Sequence, residues 1–503
     1  MPRQDERGAQ EQYGGREVGI FIGGTAARPR GQDILIGTSL DDVLFGDRYT
    51  TGNTLGAPQV GGTMKVGPGG ADLLKGGLGD DVLLGDAWSI SGAWGGNDTL
   101  DGGGGADTIY GDSHLLFGAG RGGHDSLNGG SEADSVYGDA WWIDNTARGG
   151  KDSLAGGAGG DELYGDAFVV SKSGRGGNDI IDGGDGDDIL HGDADTLTDR
   201  ACGGHDSIYG DAGTDTIYGD AVTLALRAVG GNDLIDAGAG NDVVFGDGSL
   251  LSDHAAGGDD EIRDGDGLSG DTSIFFGDAS TMSGAAVGGD DLLVGSNQLI
   301  GDAARLLDTA VGGHDRLVAT GGFSTLLGDA LQLANRSVGG NDLLEGGDDD
   351  DVLVGDASFL TEAARGANDT LLGNDGDDVL YGDAQLAEAA TTGGNDILDG
   401  GAGDDSLYGD AETAATGFVT GSDSFVFGDA SGKDRIFDFE LGKDTIDLSG
   451  RAGLVFSDLT LDAASLPGDT VIDLGLAEGG AAGQDVVTVV GVTGLGAGDF
   501  VFV

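Results

Sequence analysis

One phrase returns along this chain with a fixed 27-residue period. GGHDSLNGGSEADSVYGDA at 122–140 is rewritten as GGKDSLAGGAGGDELYGDA at 149–167, with the glycines and aspartates kept. A strict period of this length is typical of solenoids, in which each repeat buries its apolar residues only against its neighbours. Fourteen repeats align on their first aspartate: Asp33, Asp72, Asp98, Asp125, Asp152, Asp179, Asp206, Asp233, Asp260, Asp291, Asp315, Asp342, Asp369 and Asp396.

Each repeat divides into three segments of nine residues, which we name the first, second and third nonad. The first two nonads share a glycine turn, an aspartate at position six and an aliphatic residue at position eight. The third nonad carries an aliphatic residue at position six instead, as in Leu116, Ile143, Val170, Leu197, Leu224, Leu251, Met282, Leu306, Leu333 and Leu360. Such short apolar runs between glycine turns favour brief β-strands. The sequence therefore predicts an all-β parallel solenoid of about fourteen 27-residue repeats.

The charge of the chain opposes folding without a partner ion. Its 503 residues include 89 acidic and 24 basic side chains, for a formal net charge of −65. Self-repulsion at this charge disfavours a compact state, and the regular aliphatic positions argue against a disordered acidic chain. Folding conditional on bound cations follows, whereas nucleic acid and membrane insertion are not expected. The single cysteine, Cys202, excludes an intramolecular disulfide.

The residue types point to calcium as that cation. Glycine turns can aim carbonyl oxygens at an ion, and aspartates add charged oxygens, which together suit calcium better than a transition metal. The alternative is that aspartate only favours turns. However, carboxylates stacked one strand spacing apart repel each other unless a cation lies between them. The candidate ligands are the fourteen first-nonad aspartates and, from the second nonad, Asp42, Asp81, Asp107, Asp134, Asp161, Asp188, Asp215, Asp242, Asp351, Asp378 and Asp405.

A further aspartate follows the glycine that opens each third nonad. It either completes a calcium site or caps a turn, and the sequence favours neither. These residues are Asp86, Asp112, Asp139, Asp166, Asp193, Asp220, Asp247, Asp278, Asp302, Asp329, Asp356, Asp383 and Asp410. The repeats that begin at Asp260, Asp291 and Asp315 lack the second-nonad aspartate, so we expect a seam with fewer ions around residues 261–327.

The nonads resemble a known calcium-binding repeat. GGGGADTIY (102–110), GGAGGDELY (156–164), GGDGDDILH (183–191) and GGAGDDSLY (400–408) match GGxGxDxUx, the motif of the repeats-in-toxin, hemolysin-type family. The resemblance implies a parallel β-roll whose glycine turns bind calcium. The 27-residue period departs from the family, in which two nonads complete a coil. A 27-residue coil, which stacks each nonad on its own kind, is favoured over an 18-residue coil.

The two ends of the chain differ from the repeats. We expect residues 1–32 to form an N-terminal segment and candidate partial cap, residues 33–420 the solenoid, and residues 421–503 a C-terminal β cap with a secretion signal region. The segment DSFVFGDASGKDRIFDF and the final DFVFV are similar to the closing region and tail of secreted family members. This resemblance implies type I export of an unfolded chain that folds in extracellular calcium, free outside the cell or at its surface.

The remaining features bear on function. The sequence contains neither HExxH nor GxSxG, and little length remains outside the repeats, so no enzyme is expected. We expect a structural protein of the bacterial surface or matrix that could assemble end to end. The alternative is an adhesin or lectin-like module using third-nonad loops such as WWIDNTAR (141–148) or an aromatic face. That face would comprise Tyr110, Tyr137, Tyr164, Tyr218, Tyr381 and Tyr408, which strand alternation turns outward, although stabilisation of the ladder is the favoured role. The six histidines are expected to be solvated.

Overall fold

The structure is a computed structural model that describes residues 9–13, 16–22, 34–46, 69–265, 272–463, 468–477 and 483–503, with the backbone alone at 9–13 and 16–22. The candidate ligand Asp33 and the insertion at 47–68 lie outside the described residues. Contacts divide the chain into two units, Met1–Glu261 and Ile262–Val503. Both consist mainly of strands of three to six residues, as the short apolar runs predict.

In the first unit, each nonad contributes one strand to a parallel ladder of its own. The first-nonad ladder comprises Ile34–Ile36, Leu73–Leu78, Thr99–Gly104, Ser126–Ser131, Ser153–Ala158, Ile180–Asp185, Ser207–Ala212 and Leu234–Asp236. The second-nonad ladder comprises Asp42–Phe45, Val82–Leu84, Thr108–Tyr110, Ser135–Tyr137, Glu162–Tyr164, Ile189–His191, Thr216–Tyr218 and Val243–Phe245. The third-nonad ladder comprises Ala87–Ser91, Ser113–Phe117, Ala140–Ile143, Ala167–Val170, Ala194–Leu197, Ala221–Leu224 and Gly248–Leu251.

The register of these ladders fixes the length of a coil. Leu127 pairs with Leu154, and Leu154 pairs with Ile181, so each partner lies one 27-residue period further along the chain. The third-nonad pair Ile143 and Val170 has the same offset. Each nonad therefore stacks on its own kind. The expected 27-residue coil is confirmed, and the 18-residue alternative is excluded.

Aliphatic columns fill the interior of the coils. In the first unit Leu100, Leu127, Leu154, Ile181 and Ile208 follow one another at position eight of the first nonad, and all are buried. The third-nonad aliphatic residues named above are also fully buried. Because each coil supplies only a few apolar side chains, burial depends on the coils above and below it. The predicted parallel β-solenoid is confirmed.

The second unit repeats this plan and then departs from it. Its first-nonad ladder comprises Glu261–Arg263, which begins at the unit boundary, Leu292–Gly295, Arg316–Ala319, Leu343–Glu345, Thr370–Leu372, Ile397–Asp399, Ser424–Val426, Thr445–Asp447 and Phe500–Val501. Its second-nonad ladder comprises Ile274–Phe276, Gln298–Ile300, Thr325–Leu327, Val352–Val354, Val379–Tyr381, Ser406–Tyr408, Lys433–Ile436 and Val486–Val489, extended by the antiparallel strands Thr470–Asp473 and Leu461–Asp462. Its third-nonad strands are Ala279–Met282, Ala303–Leu306, Ala330–Leu333, Ala357–Leu360, Ala384–Ala387 and Ala411–Ala414. Leu293 pairs with Leu317, at the same shortened offset of 24 positions that separates Asp291 from Asp315, so the irregular spacing shortens one coil.

Few other elements occur in the described parts of the chain. Strands Ala9–Tyr13 and Arg16–Ile22 form an antiparallel hairpin, and the second of them pairs with Asp42–Phe45. The helical segments within the described ranges are Leu474–Ala477, Phe456–Asp458 and Ala497–Asp499. None of these described helices has the length and apolar character needed to cross a membrane.

Candidate calcium sites between successive coils

The predicted ligands lie at the bends of the coils. Every candidate aspartate among the described residues is buried, including those of all three nonads. In the first two nonads the aspartate directly precedes its short strand or, at Asp42, begins it, and the aliphatic residue two positions later points into the core. Strand alternation therefore turns both side chains toward the interior, one at the bend and one along the strand.

The first-nonad aspartates form a ladder that uses only half of each carboxylate. Oδ1 of Asp152 accepts a hydrogen bond from the backbone N–H of Asp125 at 2.7 Å, and Oδ1 of Asp179 accepts one from Asp152 at 2.7 Å. The second oxygen, Oδ2, is buried without a hydrogen-bond partner in Asp125, Asp152, Asp179, Asp206, Asp233, Asp315, Asp342, Asp369 and Asp396. A buried carboxylate oxygen without a donor indicates a missing ligand, because native structures rarely leave such groups unsatisfied.

The third-nonad aspartates reach the same bend. Oδ2 of Asp139 accepts a hydrogen bond from the N–H of Gly150 at 2.8 Å, while its Oδ1 is buried without a partner. The carboxyl group of Asp166 contacts those of Asp139 and Asp193. One oxygen of Asp139 therefore caps a glycine turn, and the other lies among neighbouring carboxylates. The same aspartate can thus cap the turn and contribute to a calcium site, the two roles that the sequence left open.

Together the two ladders build a corner site between successive coils. Carboxylate oxygens of Asp86, Asp98 and Asp112 lie within 4.8 Å of one another. Asp86 and Asp112 open third nonads of adjacent coils, and Asp98 belongs to the first nonad between them. Residues one period apart occupy equivalent places, so the trio Asp139, Asp152 and Asp166 has the same arrangement in sequence.

The second-nonad aspartates form a separate ladder at another bend. Oδ1 of Asp134 accepts from the N–H of Asp107 at 2.7 Å, and Oδ2 of Asp134 is buried without a partner. A Cβ built on Gly129 would lie 2.5 Å from that Oδ2 and 2.7 Å from the carbonyl oxygen of Gly156. Carboxylate and carbonyl oxygens therefore converge on the glycine turn, in a site with fewer charges than the corner site.

Glycine is required where the carboxylates approach the backbone most closely. A Cβ built on Gly149 would lie 1.5 Å from Oδ1 of Asp166 and 2.6 Å from Oδ2 of Asp139. Any other residue would fill the space between the two carboxylates. The recurring glycine pair before the first-nonad aspartates thus leaves room for a ligand.

Burial makes these carboxylates costly to ionise. It raises the pKa of Asp134 and Asp215 to about 7, with nearby carboxylates adding to the effect. At the corner site, burial and then the neighbouring Asp112 and Asp152 raise the pKa of Asp125 well above its usual range. Burial and neighbouring carboxylates raise the pKa of Asp139 in the same way. A bound cation would reverse this penalty, because positive charge stabilises the ionised form.

The donor set fits calcium. The described carboxylates and glycine carbonyls offer oxygen ligands at both bends, and hard oxygen donors in flexible geometry suit calcium, whereas magnesium demands a tighter octahedron and transition metals prefer nitrogen or sulfur. In carboxylates such as those of Asp134 and Asp152, one oxygen accepts a backbone hydrogen bond and the second is available for an ion. The buried, partnerless oxygens and the close carboxylates are therefore what a calcium ladder requires.

Comparison with known families agrees with this geometry. A model described as the RTX calcium-binding nonapeptide repeat matches residues 66–87, 95–113, 119–140, 146–167, 173–196, 203–221, 226–249, 338–358, 364–385 and 390–412. The chain carries RTX calcium-binding nonapeptide repeats over these segments. RTX nonapeptide repeats bind calcium, and calcium is the ion that this protein binds.

The RTX match leaves out the repeats between 249 and 338, where the spacing is irregular. No curated protein matches the chain. Among the solved structures that match is the extracellular lipase LipA from Serratia marcescens, with 18% identity, a TM-score of 0.19, and coverage of 46% of this chain and 45% of the lipase. The RTX chain thus spans less than half of the length of that lipase.

Sequence reasoning missed residues that extend the ladders, among them Asp423 and Asp434. Oδ1 of Asp423 accepts from the N–H of Asp396, and Oδ1 of Asp434 accepts from the N–H of Asp405. The Oδ2 atoms of Asp423 and Asp434 are buried without partners, as in the repeats. Asp423 lies one full 27-residue period after Asp396, so the period alone could have identified it as a ladder residue.

The seam lacks the carboxylate that other coils supply at the second-nonad bend. Ser273, Asn297 and Ser324 directly precede the second-nonad strands there. Ser324 donates its N–H to Oδ1 of Asp351 at 2.7 Å, so it retains the backbone part of the ladder without offering an acidic oxygen of its own. That this bend binds fewer ions than the others stays a prediction.

The prediction of outward-facing tyrosines is wrong. Tyr110, Tyr137 and Tyr164 are buried, and their rings stack at 4.9 and 4.8 Å between centroids. Trp88, Trp141 and Phe168 pack against them, because third-nonad side chains cover the second-nonad face. The favoured role as a stabilising ladder fits this arrangement.

Two histidines belong to aromatic columns and are not solvated as expected. His191 is buried between Tyr164 and Tyr218, with ring centroids at 4.3 and 5.1 Å, and burial lowers its pKa to about 3. His114 stacks on Trp88 at 4.3 Å. Their positions in the repeat, where other coils carry aromatic residues, explain this placement.

Proposed function

We propose that this RTX chain is a secreted protein that folds when calcium fills the bends of its coils and that serves a structural role at the cell surface or in the extracellular matrix. The observation that carries the proposal is the set of buried, partnerless Oδ2 atoms on columns of aspartates. Calcium binding then supplies much of the free energy of folding, because the binding sites exist only in the folded chain.

The assignment of ligands follows the two bends. First-nonad and third-nonad aspartates, such as Asp139, Asp152 and Asp166, would hold calcium at the corner sites. Second-nonad aspartates such as Asp134, with glycine carbonyl oxygens, would hold it at the other bend. When bound, calcium supplies positive charge and accepts oxygen ligands. The chain itself positions those oxygens, excludes water from them and holds them through backbone N–H groups.

The proposed role is not catalytic. The buried aspartates have a structural explanation in the calcium ladders. Export by a type I exporter is proposed from the closing segment and the acidic-apolar tail DFVFV. In calcium-poor cytosol the strongly acidic chain would stay unfolded, and millimolar calcium outside would fold it.

End-to-end assembly is part of the proposal. In the second unit, cap strands continue the first-nonad and second-nonad ladders, whereas the third-nonad ladder ends at Ala411–Ala414. No strand among the described residues pairs with the far edge of Ala411–Ala414. An unpaired edge offers backbone groups to another chain. Sedimentation in millimolar calcium should show concentration-dependent polymers, and a monomer at all concentrations would remove this part of the proposal.

Circular dichroism during calcium titration tests the main proposal. We expect little β-signal in chelator, a cooperative gain at millimolar calcium, reversal by EDTA and little response to magnesium. A chain that is equally β-structured after complete removal of calcium at neutral pH would contradict the proposal.

A matched pair of variants tests the ligands. Asp152→Asn removes a charged oxygen from a corner site and should raise the calcium concentration at the folding midpoint by about twofold or more. Asp185→Asn removes the same charge from an exposed position on the next coil and should leave the midpoint nearly unchanged. Equal shifts in both variants would mean that net charge and not ligation governs folding.

The second candidate function is an adhesin or lectin-like module. The third-nonad loop WWIDNTAR favours it, because Trp142 is 45% exposed and its Nε1 donates to Ser171 Oγ at 3.0 Å. The tyrosines do not support an aromatic face, since they are covered. Trp142→Ala should abolish capture by a glycan array if this loop binds sugar, and unchanged capture would exclude the loop.

A further inference from the structure

A row of basic side chains runs across the first unit, at the bend that leads from each third-nonad strand to the next first nonad. We name it the basic ridge. It comprises Arg121, Arg148, Lys172, Arg175, Arg200 and Arg227, all of which are exposed. The chain as a whole carries only 24 lysines and arginines, so their concentration at one bend is a distinct feature.

The ridge contributes one arginine from each of five successive coils. Parallel β-bridges join Arg121 to Arg148 and Arg148 to Arg175, each to the equivalent residue of the next coil. The bridges continue from Arg175 through Cys202 to Val229, and Arg200 and Arg227 lie two positions before those residues. Neighbouring strands are about 4.8 Å apart, so positive charges follow one another at roughly that spacing within the run Arg121, Arg148 and Arg175 and within the pair Arg200 and Arg227, which is offset from that run by two positions.

Lys172 connects the two parts of the ridge. The N–H of Arg200 donates to the carbonyl oxygen of Lys172 at 2.8 Å, which puts these residues on adjacent coils. Lys172, Arg200 and Arg227 line one shallow groove on the surface of the unit. Asp199 and Asp253 also line this groove, so the charge around Arg200 and Arg227 is mixed, whereas Arg121, Arg148 and Arg175 lie outside the groove.

The arginines have no acidic partner within the described parts of the chain. None of the five forms an ion pair there, although Lys172 pairs with Asp144 at 2.6 Å. Arg121 places its guanidinium 5.8 Å from the ring centroid of Trp94. In a chain with 89 acidic residues, five guanidinium groups that form no ion pair with the described residues are free to bind an external anion.

We infer that the basic ridge binds a linear polysaccharide that carries one carboxylate on each sugar. A 1,4-linked uronic acid unit is about as long as one strand spacing, and in a two-fold extended chain the carboxylates point to alternate sides. Those on one side therefore recur about every two strand spacings and can meet every second coil. The arginine fork matches a carboxylate with two parallel hydrogen bonds. Nucleic acid fits less well, because its charges follow each other at about 3.4 Å along a strand and its charge density opposes a strongly acidic chain.

This inference rests on the proposed function, since the ridge exists only when calcium has ordered the coils. The two can fail separately. Circular dichroism reports whether the coils form in calcium, and binding is measured only on protein that shows the β-signal.

The probe is a fluorescent oligogalacturonate of about ten sugars, added to the full chain in millimolar calcium and followed by fluorescence anisotropy. The test variant is Arg148→Gln/Arg175→Gln/Arg200→Gln. The matched control is Arg336→Gln/Arg365→Gln, which changes exposed arginines at the same two bend positions in the second unit, outside the row. We expect the test variant to weaken binding about tenfold or more and the control to leave it unchanged.

Three outcomes would overturn the inference. Equal binding by the test variant would mean that calcium bridges the sugar to acidic side chains elsewhere. Undiminished binding of a fully methyl-esterified oligogalacturonate would mean that carboxylates are not recognised. Tighter binding of a single-stranded oligodeoxynucleotide that the same three substitutions abolish would assign the ridge to nucleic acid. Weakening of the oligogalacturonate complex by added sodium chloride would support the ionic contact.

Discussion

Acid should partly replace calcium in holding the coils together. The perturbation is removal of calcium at two pH values, near 4.5 and near 7.5. In the calcium-free chain, the buried aspartates have pKa values raised above 3.8, and burial is the main cause. A raised pKa in the folded state means that stability is fully present below the unfolded pKa and is lost as pH rises through the folded pKa.

The magnitude can be worked from the second-nonad ladder of the first unit. Burial raises the pKa of Asp81, Asp134 and Asp215 from 3.8 to about 7. At 1.36 kcal/mol per pKa unit this corresponds to about 4 kcal/mol for each ionised carboxylate, and solvent screening near the bend reduces it to about 2 kcal/mol. Ionisation of three such residues therefore lowers the free energy of unfolding of the calcium-free chain by about 6 kcal/mol, which is comparable to the whole stability of many domains.

Far-ultraviolet circular dichroism in EDTA would measure the effect. We expect β-signal in dilute protein at pH 4.5, its loss between about pH 6 and 8, and its return when calcium is added at pH 7.5. If the calcium-free chain is equally unfolded at both pH values, or equally folded at both, ionisation of these aspartates does not control folding and the argument is refuted.

Three further predictions concern single coils. Gly149→Ala should abolish calcium-dependent folding or greatly raise its midpoint, since a Cβ would lie 1.5 Å from a carboxylate oxygen, whereas Gly428→Ala, where a Cβ would meet no atom within 4 Å, should fold normally in the same titration. His191→Phe should raise the free energy of unfolding by about 1–2 kcal/mol at pH 7.5, because both ring nitrogens are buried without hydrogen bonds, and a lower thermal midpoint would contradict this. Leu154→Ala should cost about 2–5 kcal/mol in calcium, while Ile180→Ala on the exposed face should change the thermal midpoint little; equal losses would argue against a packed column.

The fold was predictable because the repeat constrains it twice. Aspartate and aliphatic positions share the same 27-residue period, and only stacking of like on like keeps both sets in register, as the pairing of Leu127 with Leu154 confirms. The burial of the aspartates was also predictable, since position six and position eight share one side of a strand.

The grouping of the aspartates into sites was not predictable from spacing alone. Asp98 meets Asp86 and Asp112, which open the third nonads before and after it, because the third bend folds back toward the first. A linear motif of one nonad does not contain that long-range contact. The tyrosine orientation failed for a related reason: strand alternation describes one sheet, and the covering Trp141 comes from another.

Neighbouring coils are equivalent, and this equivalence affects how the length of the gene can change. Since pairings in the regular coils join residues one period apart, a deletion or duplication of one whole period, such as 152–178, would restore each contact with an equivalent one. Recombination between the near-identical phrases produces such changes in length. Protein size could therefore drift by whole turns during evolution while the ion ladders and the apolar columns remain continuous.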